Sequence, residues 1–149
     1  MSRKRRTGER PPRASSGTRR QQPVALLVDD LHDTRDMYGE MLRFGGYRVL
    51  EASDGADGVA VALEQRPDLI VMDLCMPRMD GWEAIRRLKS DPLTRSIPVV
   101  ILSAIASRGA PSDLACEAYL VKPCLPLDLL GVVDTLLASS ETERKATVA

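Results

Sequence analysis

Val24-Ala25-Leu26-Leu27-Val28 is an unbroken apolar run that stops at two carboxylates, Asp29 and Asp30. A strand covered on one face alternates apolar with polar residues, whereas a run that is apolar throughout reads as a strand buried on both faces, the habit of a central strand in a parallel sheet. The period then changes. Asp33 to Phe44 sets Met37, Met41 and Phe44 on one helical face, and Gly45-Gly46 supplies residues able to take the left-handed conformation at a helix end.

The alternation continues along the chain. Tyr47–Glu51 reads as a second strand, Ala56–Arg66 as a second helix halted by Pro67, and Leu69–Met72 as another buried strand, this one ending in Asp73. A loop through Pro77 and Gly81 leads to a helix at Trp82–Lys89, followed by strands at Pro98–Leu102 and Ala118–Val121. Gly109 and Pro111 interrupt Ala104–Cys116 and leave room for only a shortened fourth helix. Pro126, suited to a first helical turn, opens a last helix whose Leu129, Val133 and Leu136 share a face. Five strand-helix units with right-handed crossovers predict an α/β fold, a doubly wound parallel five-stranded sheet of (βα)5 type. Ligands of such sheets bind outside the carboxyl ends of the strands, and the flavodoxin-like order 2-1-3-4-5 makes strands one and three neighbours. Those ends carry Asp29, Asp30 and Asp73.

The chain has 149 residues, 44% of them apolar and 28% charged, which suits one domain with an ordinary core. No apolar run approaches the roughly 18 residues of a membrane-spanning helix, and the charged N-terminus has no apolar stretch behind it, so neither a transmembrane nor a secretory segment is expected. Cys75, Cys116 and Cys124 form no C-x-x-C pair and read as reduced thiols of a cytoplasmic protein. The formal net charge of zero is divided unevenly: residues 1–22 hold eight Lys/Arg against Glu9, a net charge of +7, and the remainder carries −7. That first stretch, poor in apolar side chains, is expected to be a disordered basic tail. The folded domain is expected at 23–138, with a flexible polar tail at 139–149.

Three carboxylates within a few ångströms repel unless a cation offsets them, and a hard divalent ion such as Mg²⁺, which binds through carboxylates, waters and a phosphate, matches the set. The plainer alternative is that Asp29 or Asp30 caps the first helix. Ser103 and Lys122 stand at later strand ends and favour the metal reading. His32, an exposed histidine at a helix start, reads as neither a metal ligand nor a phosphohistidine, and Trp82, Met37, Met41 and Met72 read as packing residues. Neither G-x-x-x-x-G-K-[ST] nor G-x-G-x-x-G occurs, which argues against a P-loop or dinucleotide-binding enzyme. The basic tail would suit weak contact with nucleic acid or an anionic membrane, or it is a solvated extension. No helix-turn-helix region follows Leu137, so no DNA-binding output domain is expected.

Val28-Asp29-Asp30, Asp73 followed by Met76-Pro77-Arg78-Met79-Asp80-Gly81, Ser103-Ala104, and Tyr119-Leu120-Val121-Lys122-Pro123 come in that order, each at a strand end. Together they resemble the receiver domain of two-component response regulators. The resemblance implies that Asp73 accepts a phosphoryl group from a histidine kinase or histidine phosphotransfer protein, that Asp30 and Asp73 ligate Mg²⁺ with Asp29 acting through water, and that Cys75 offers its backbone carbonyl. It further implies that Lys122 and Ser103 contact the phosphoryl oxygens, that Ser103 and Tyr119 form the switch, and that Lys122-Pro123 is cis. Cys75 and Ile105 would border the path of the hydrolytic water, which implies slow self-dephosphorylation. The implied protein is a stand-alone phosphoacceptor that signals to an unknown protein target and catalyses nothing beyond its own phosphorylation and dephosphorylation. Ser103 and Lys122 lie 19 positions apart, fewer than is common in the family, and the shortfall falls in the interrupted segment. A haloacid-dehalogenase-type phosphatase would need a second aspartate two residues after Asp73, where Cys75 stands.

Overall fold

A computed structural model of the protein describes residues 22–76, 79–104 and 116–148, with side chains described as far as Ser139. The basic segment up to Gln21, the Pro77-Arg78 step, and residues 105–115, where the short fourth helix and Ile105 are expected, lie outside the described residues. The elements run β1 (Val24–Val28), α1 (His32–Phe44), β2 (Arg48–Ala52), α2 (Gly55–Gln65), β3 (Leu69–Met72), α3 (Gly81–Ser90), β4 (Val99–Ser103), β5 (Ala118–Val121) and α4 (Pro126–Val148). All paired strands are parallel, in the order β2-β1-β3-β4-β5. This is the flavodoxin-like order expected from the alternation of strands and helices.

Successive residues of a strand point to opposite faces, which is why the central strands must be apolar throughout. Leu26, Val28, Ile70, Met72, Val99 and Ile101 face Ala62 of α2 and Ala84, Ile85 and Leu88 of α3. Their neighbours Ala25, Leu27, Leu69, Val71, Val100 and Leu102 face Tyr38 and Leu42 of α1 and Leu129, Leu130 and Val133 of α4. Burying each of the larger apolar side chains contributes about 1.5–3 kcal/mol over leaving it exposed. The two layers hold the strand ends level: Val28 pairs with both Ala52 and Met72, and Ser103 with Val121. The ladder continues one residue further, with Asp29 N–H donating to Ala52 O (3.1 Å), Asp73 N–H to Val28 O (3.0 Å) and Lys122 N–H to Ser103 O (2.8 Å).

The structure corrects the predicted face of α1 and decides the capping alternative. The buried face of α1 is Tyr38, Gly39 and Leu42, while Met37 is 46% and Phe44 80% exposed. Tyr38 and Leu42 form an i, i+4 stripe one position round from the predicted one, and the tyrosine hydroxyl finds a carbonyl partner, so its burial leaves no polar group unpaired. The capping alternative for the aspartates gives way too: the N-cap of α1 is Leu31, with no side-chain cap bond. Finally, α4 runs through the polar stretch expected to be a flexible tail at 139–149, as far as Val148. That stretch sets Ala, Glu, Arg and Lys, strong helix formers, among Ser and Thr, and contains neither Gly nor Pro to stop the helix.

Candidate functional site

Asp29 and Asp73 each follow the last residue of a central strand and are held there by the continued ladder, 2% and 5% exposed; Asp30 is exposed beside them. Carboxylate oxygens of all three lie within 4.8 Å of one another. Asp29 Oδ1 accepts the Leu31 N–H at 2.9 Å, and its Oδ2 accepts the Lys122 ammonium at 2.8 Å. Asp73 Oδ1 accepts the Cys75 N–H at 3.3 Å, and its Oδ2 stands 4.0 Å from Lys122 Nζ. The hydroxyl of Ser103, a buried residue closing β4, hydrogen-bonds to the Asp73 carboxylate. Lys122 follows β5, and the Lys122-Pro123 peptide is cis.

Burial first, and then the charge of Asp29, push the Asp73 carboxyl above its ordinary value, against the opposing pull of Lys122, the Cys75 N–H and Ser103. Burial on its own would lower the Lys122 value, but the hydrogen bond and charge of Asp29, helped by Asp73, raise it. One ammonium therefore faces three carboxylates. A donor set of carboxylate oxygens with surplus negative charge, open on the Asp30 side, fits a hard divalent cation. Among the described residues no other group of three acidic, histidine or cysteine side chains converges in this way.

Several supports for the site were not predicted from the residues. A Cβ at Gly81 would stand 2.3 Å from the Asp73 carbonyl oxygen and 2.6 Å from Leu74 Cα, so the loop after β3 closes back on the aspartate only because residue 81 has no side chain. Gly81 N–H donates to Leu74 O at 3.0 Å, and Asp80 caps α3 by accepting the Glu83 N–H. Arg35 reaches back from α1 to donate to the Asp29 carbonyl at 2.8 Å, while its Nε donates to Glu51 at 3.1 Å. Its signal was an arginine one turn after the aspartate pair, on the helix those residues lead into. Tyr119 is partly buried against the cluster that holds Met72 and Ile101, with the Cys116 and Cys75 thiols as its electrostatic neighbours. His32 lies outside the group, 3.4 Å from Asp36 on the surface of α1. The thiols of Cys75, Cys116 and Cys124 are free, and Cys75 is exposed.

Carboxylates, hydroxyl and lysine thus meet at the carboxyl ends of β1, β3, β4 and β5, and residues 25–134 match the response regulator receiver domain family. The chain belongs to that family. Protein PilH of Pseudomonas aeruginosa is 34% identical to this receiver over 119 residues, which cover 76% of this chain and 96% of PilH. The DNA-binding dual master transcriptional regulator RpaA of Synechocystis is 35% identical over 122 residues, 80% of this chain, and the receiver spans about half (51%) of that relative's length. Among solved structures, the receiver domain of the sensor histidine kinase PA1611 from Pseudomonas aeruginosa superposes with a TM-score of 0.73 at 30% identity, covering 79% of this chain and 99% of that one. That structure has a magnesium ion coordinated in its active-site cleft. Among the described residues of the receiver no helix is long and apolar enough to cross a membrane.

Proposed function

We propose that this receiver accepts a phosphoryl group on the Asp73 carboxylate from a histidine kinase or histidine phosphotransfer protein and passes the signal on by a protein contact. The observation that carries this reading is the convergence of Asp29, Asp30 and Asp73 with Lys122 and Ser103 at neighbouring strand ends. An Asp73 carboxylate oxygen attacks phosphorus in line, the bond to the donor imidazole nitrogen breaks, and an acyl phosphate forms. Asp73 suits the role because burial and the Asp29 charge raise its basicity while the Cys75 N–H and Ser103 fix its orientation. Lys122, a point charge on a flexible stem, moves from Asp29 towards a phosphoryl oxygen, and the Ser103 hydroxyl donates to another. Asp30 and Asp73 would hold Mg²⁺ with the Cys75 carbonyl, and Asp29 through water. The ion supplies neutralisation of charge on the transferring oxygens.

The movement of Ser103 to the phosphoryl group draws on the partner it already has, and Tyr119 would turn with it, changing the face that a downstream protein reads. We assign the chain no turnover of a separate substrate. The free thiols support a working place in the cytoplasm. Incubation with acetyl phosphate and Mg²⁺ followed by intact mass is expected to show one added phosphoryl group, and Asp30→Ala or a chelator to prevent it. Labelling of Asp30→Ala at the wild-type rate would contradict the metal assignment.

A further inference from the structure

We infer that Tyr38 is a positioning residue for Lys122, its hydroxyl tying the turn that carries the lysine to the helix that begins beside Asp29 and Asp30. The inference rests on the reading that Lys122 serves phosphoryl transfer to Asp73. Tyr38 is 2% exposed, and its hydroxyl donates to the Cys124 carbonyl at 2.6 Å, across 86 positions of sequence. Cys124 is two residues beyond Lys122, so the bond fixes the backbone from which the lysine stem departs.

On its other side this backbone is fixed by Lys122 N–H donating to Ser103 O at 2.8 Å. On the α1 side an open groove lined by Thr34, Met37, Tyr38, Ala104, Lys122 and Pro123 runs beside the turn, and Cys124 packs against the cluster that holds Tyr38. Within that contact the directional hydrogen bond fixes where the Cys124 carbonyl, and with it the turn, sits against α1. Burial raises the Tyr38 phenol above its ordinary value, so the hydroxyl keeps the proton it donates. A flexible ammonium stem has its reach set by where its Cα is anchored. An anchor on α1 ties that reach to Asp29, which leads into the same helix.

Tyr38→Phe keeps the ring and removes one hydroxyl. Initial rates of phosphorylation by acetyl phosphate at saturating Mg²⁺, and Mg²⁺ affinity followed by Trp82 fluorescence, are to be measured for wild type, Y38F, K122A and the double variant. Y38F is expected to slow phosphorylation about three- to tenfold, the worth of one hydrogen bond, with Mg²⁺ affinity within about twofold of wild type. In the K122A background Y38F is expected to add no further slowing, a coupling that a merely structural role would not produce. Tyr38→Leu, which lacks both ring and donor, is expected to show the same coupling. Wild-type rates in Y38F, equal slowing in both backgrounds, or a fall in Mg²⁺ affinity that matches the fall in rate would each overturn the inference. A wild-type chain that takes no phosphoryl group would overturn the functional reading beneath it, and the inference with it.

Discussion

The ammonium of Lys122 is bonded to Asp29 at 2.8 Å, while Asp73 stands 4.0 Å away. With this arrangement the lysine neutralises the neighbour of the phosphoacceptor and is close enough to shift to a group carried on Asp73. Removing it leaves two buried carboxylates facing each other. Lys122→Ala is expected to lose about 1–3 kcal/mol of stability in the presence of chelator, as for a buried charge deprived of its partner, and to recover most of it in Mg²⁺. Urea unfolding with and without Mg²⁺ measures this. Equal losses in both conditions would mean that no cation binds among these carboxylates.

Gly81 admits no side chain, since the atoms a Cβ would meet are backbone atoms of Asp73 and Leu74 that cannot rotate away. Gly81→Ala is expected to destabilise the domain by about 2–4 kcal/mol and to slow phosphorylation of Asp73, because relief of the clash displaces the loop from the aspartate. Denaturant midpoints and labelling rates test the two effects separately. Wild-type behaviour in both would show that the loop does not close on Asp73 in this way.

Glu51 joins Arg35 and Arg43 at 3.1 and 3.0 Å. Burial alone would raise its value, but the two arginine hydrogen bonds and charges outweigh it and hold the carboxyl below its ordinary 4.5. A depressed carboxyl contributes stability that is present above pH 4.5 and is lost as pH falls through the folded value. The stability difference between wild type and Glu51→Gln is therefore expected to be constant near neutrality and to vanish in acid. It should stay within about 1 kcal/mol, because solvent reaches and screens the Glu51 carboxylate and its two arginines. Parallel unfolding curves from pH 7 to pH 3 check the sign, and a difference that grows in acid would contradict it.

Residues 1–22, with a net charge of +7, are proposed to contact a polyanion through counterion release. A chain beginning at Gln21 is expected to fold and accept phosphate as the full chain does, yet to lose salt-sensitive retention on DNA or anionic vesicles. Full-length protein that shows no such retention at low salt makes the segment a solvated extension. Truncation that blocks phosphorylation would move the domain boundary.

The site lay open in the sequence because its side chains stand at the ends of strongly patterned strands. Once Val24–Val28 and Leu69–Met72 are read as parallel neighbours, Asp29, Asp30 and Asp73 must meet, and Ser103 and Lys122 arrive by the same rule. The phase of α1 was less legible. Met37, Met41 and Phe44 make as good an apolar stripe as Tyr38 and Leu42; in the structure Tyr38 and Leu42 fill the core with Met41 packed beside them, and Tyr38 finds a carbonyl at Cys124, far along the chain. Gly81 was legible as a loop residue, but the backbone that crowds it is visible only in three dimensions. The extent of α4 is less legible for another reason. The polar stretch after Leu137 has no periodic apolar stripe to mark a face, although its Ala, Glu, Arg and Lys favour helix on their own.

The central claim is that Asp73 is the one residue that takes the phosphoryl group. Intact mass of wild type and Asp73→Asn, each incubated with acetyl phosphate and Mg²⁺ and then with chelator in place of Mg²⁺, tests it most directly. The expected result is a single added phosphoryl group on wild type in Mg²⁺ and none in the other three samples. A full mass shift on Asp73→Asn would contradict the account.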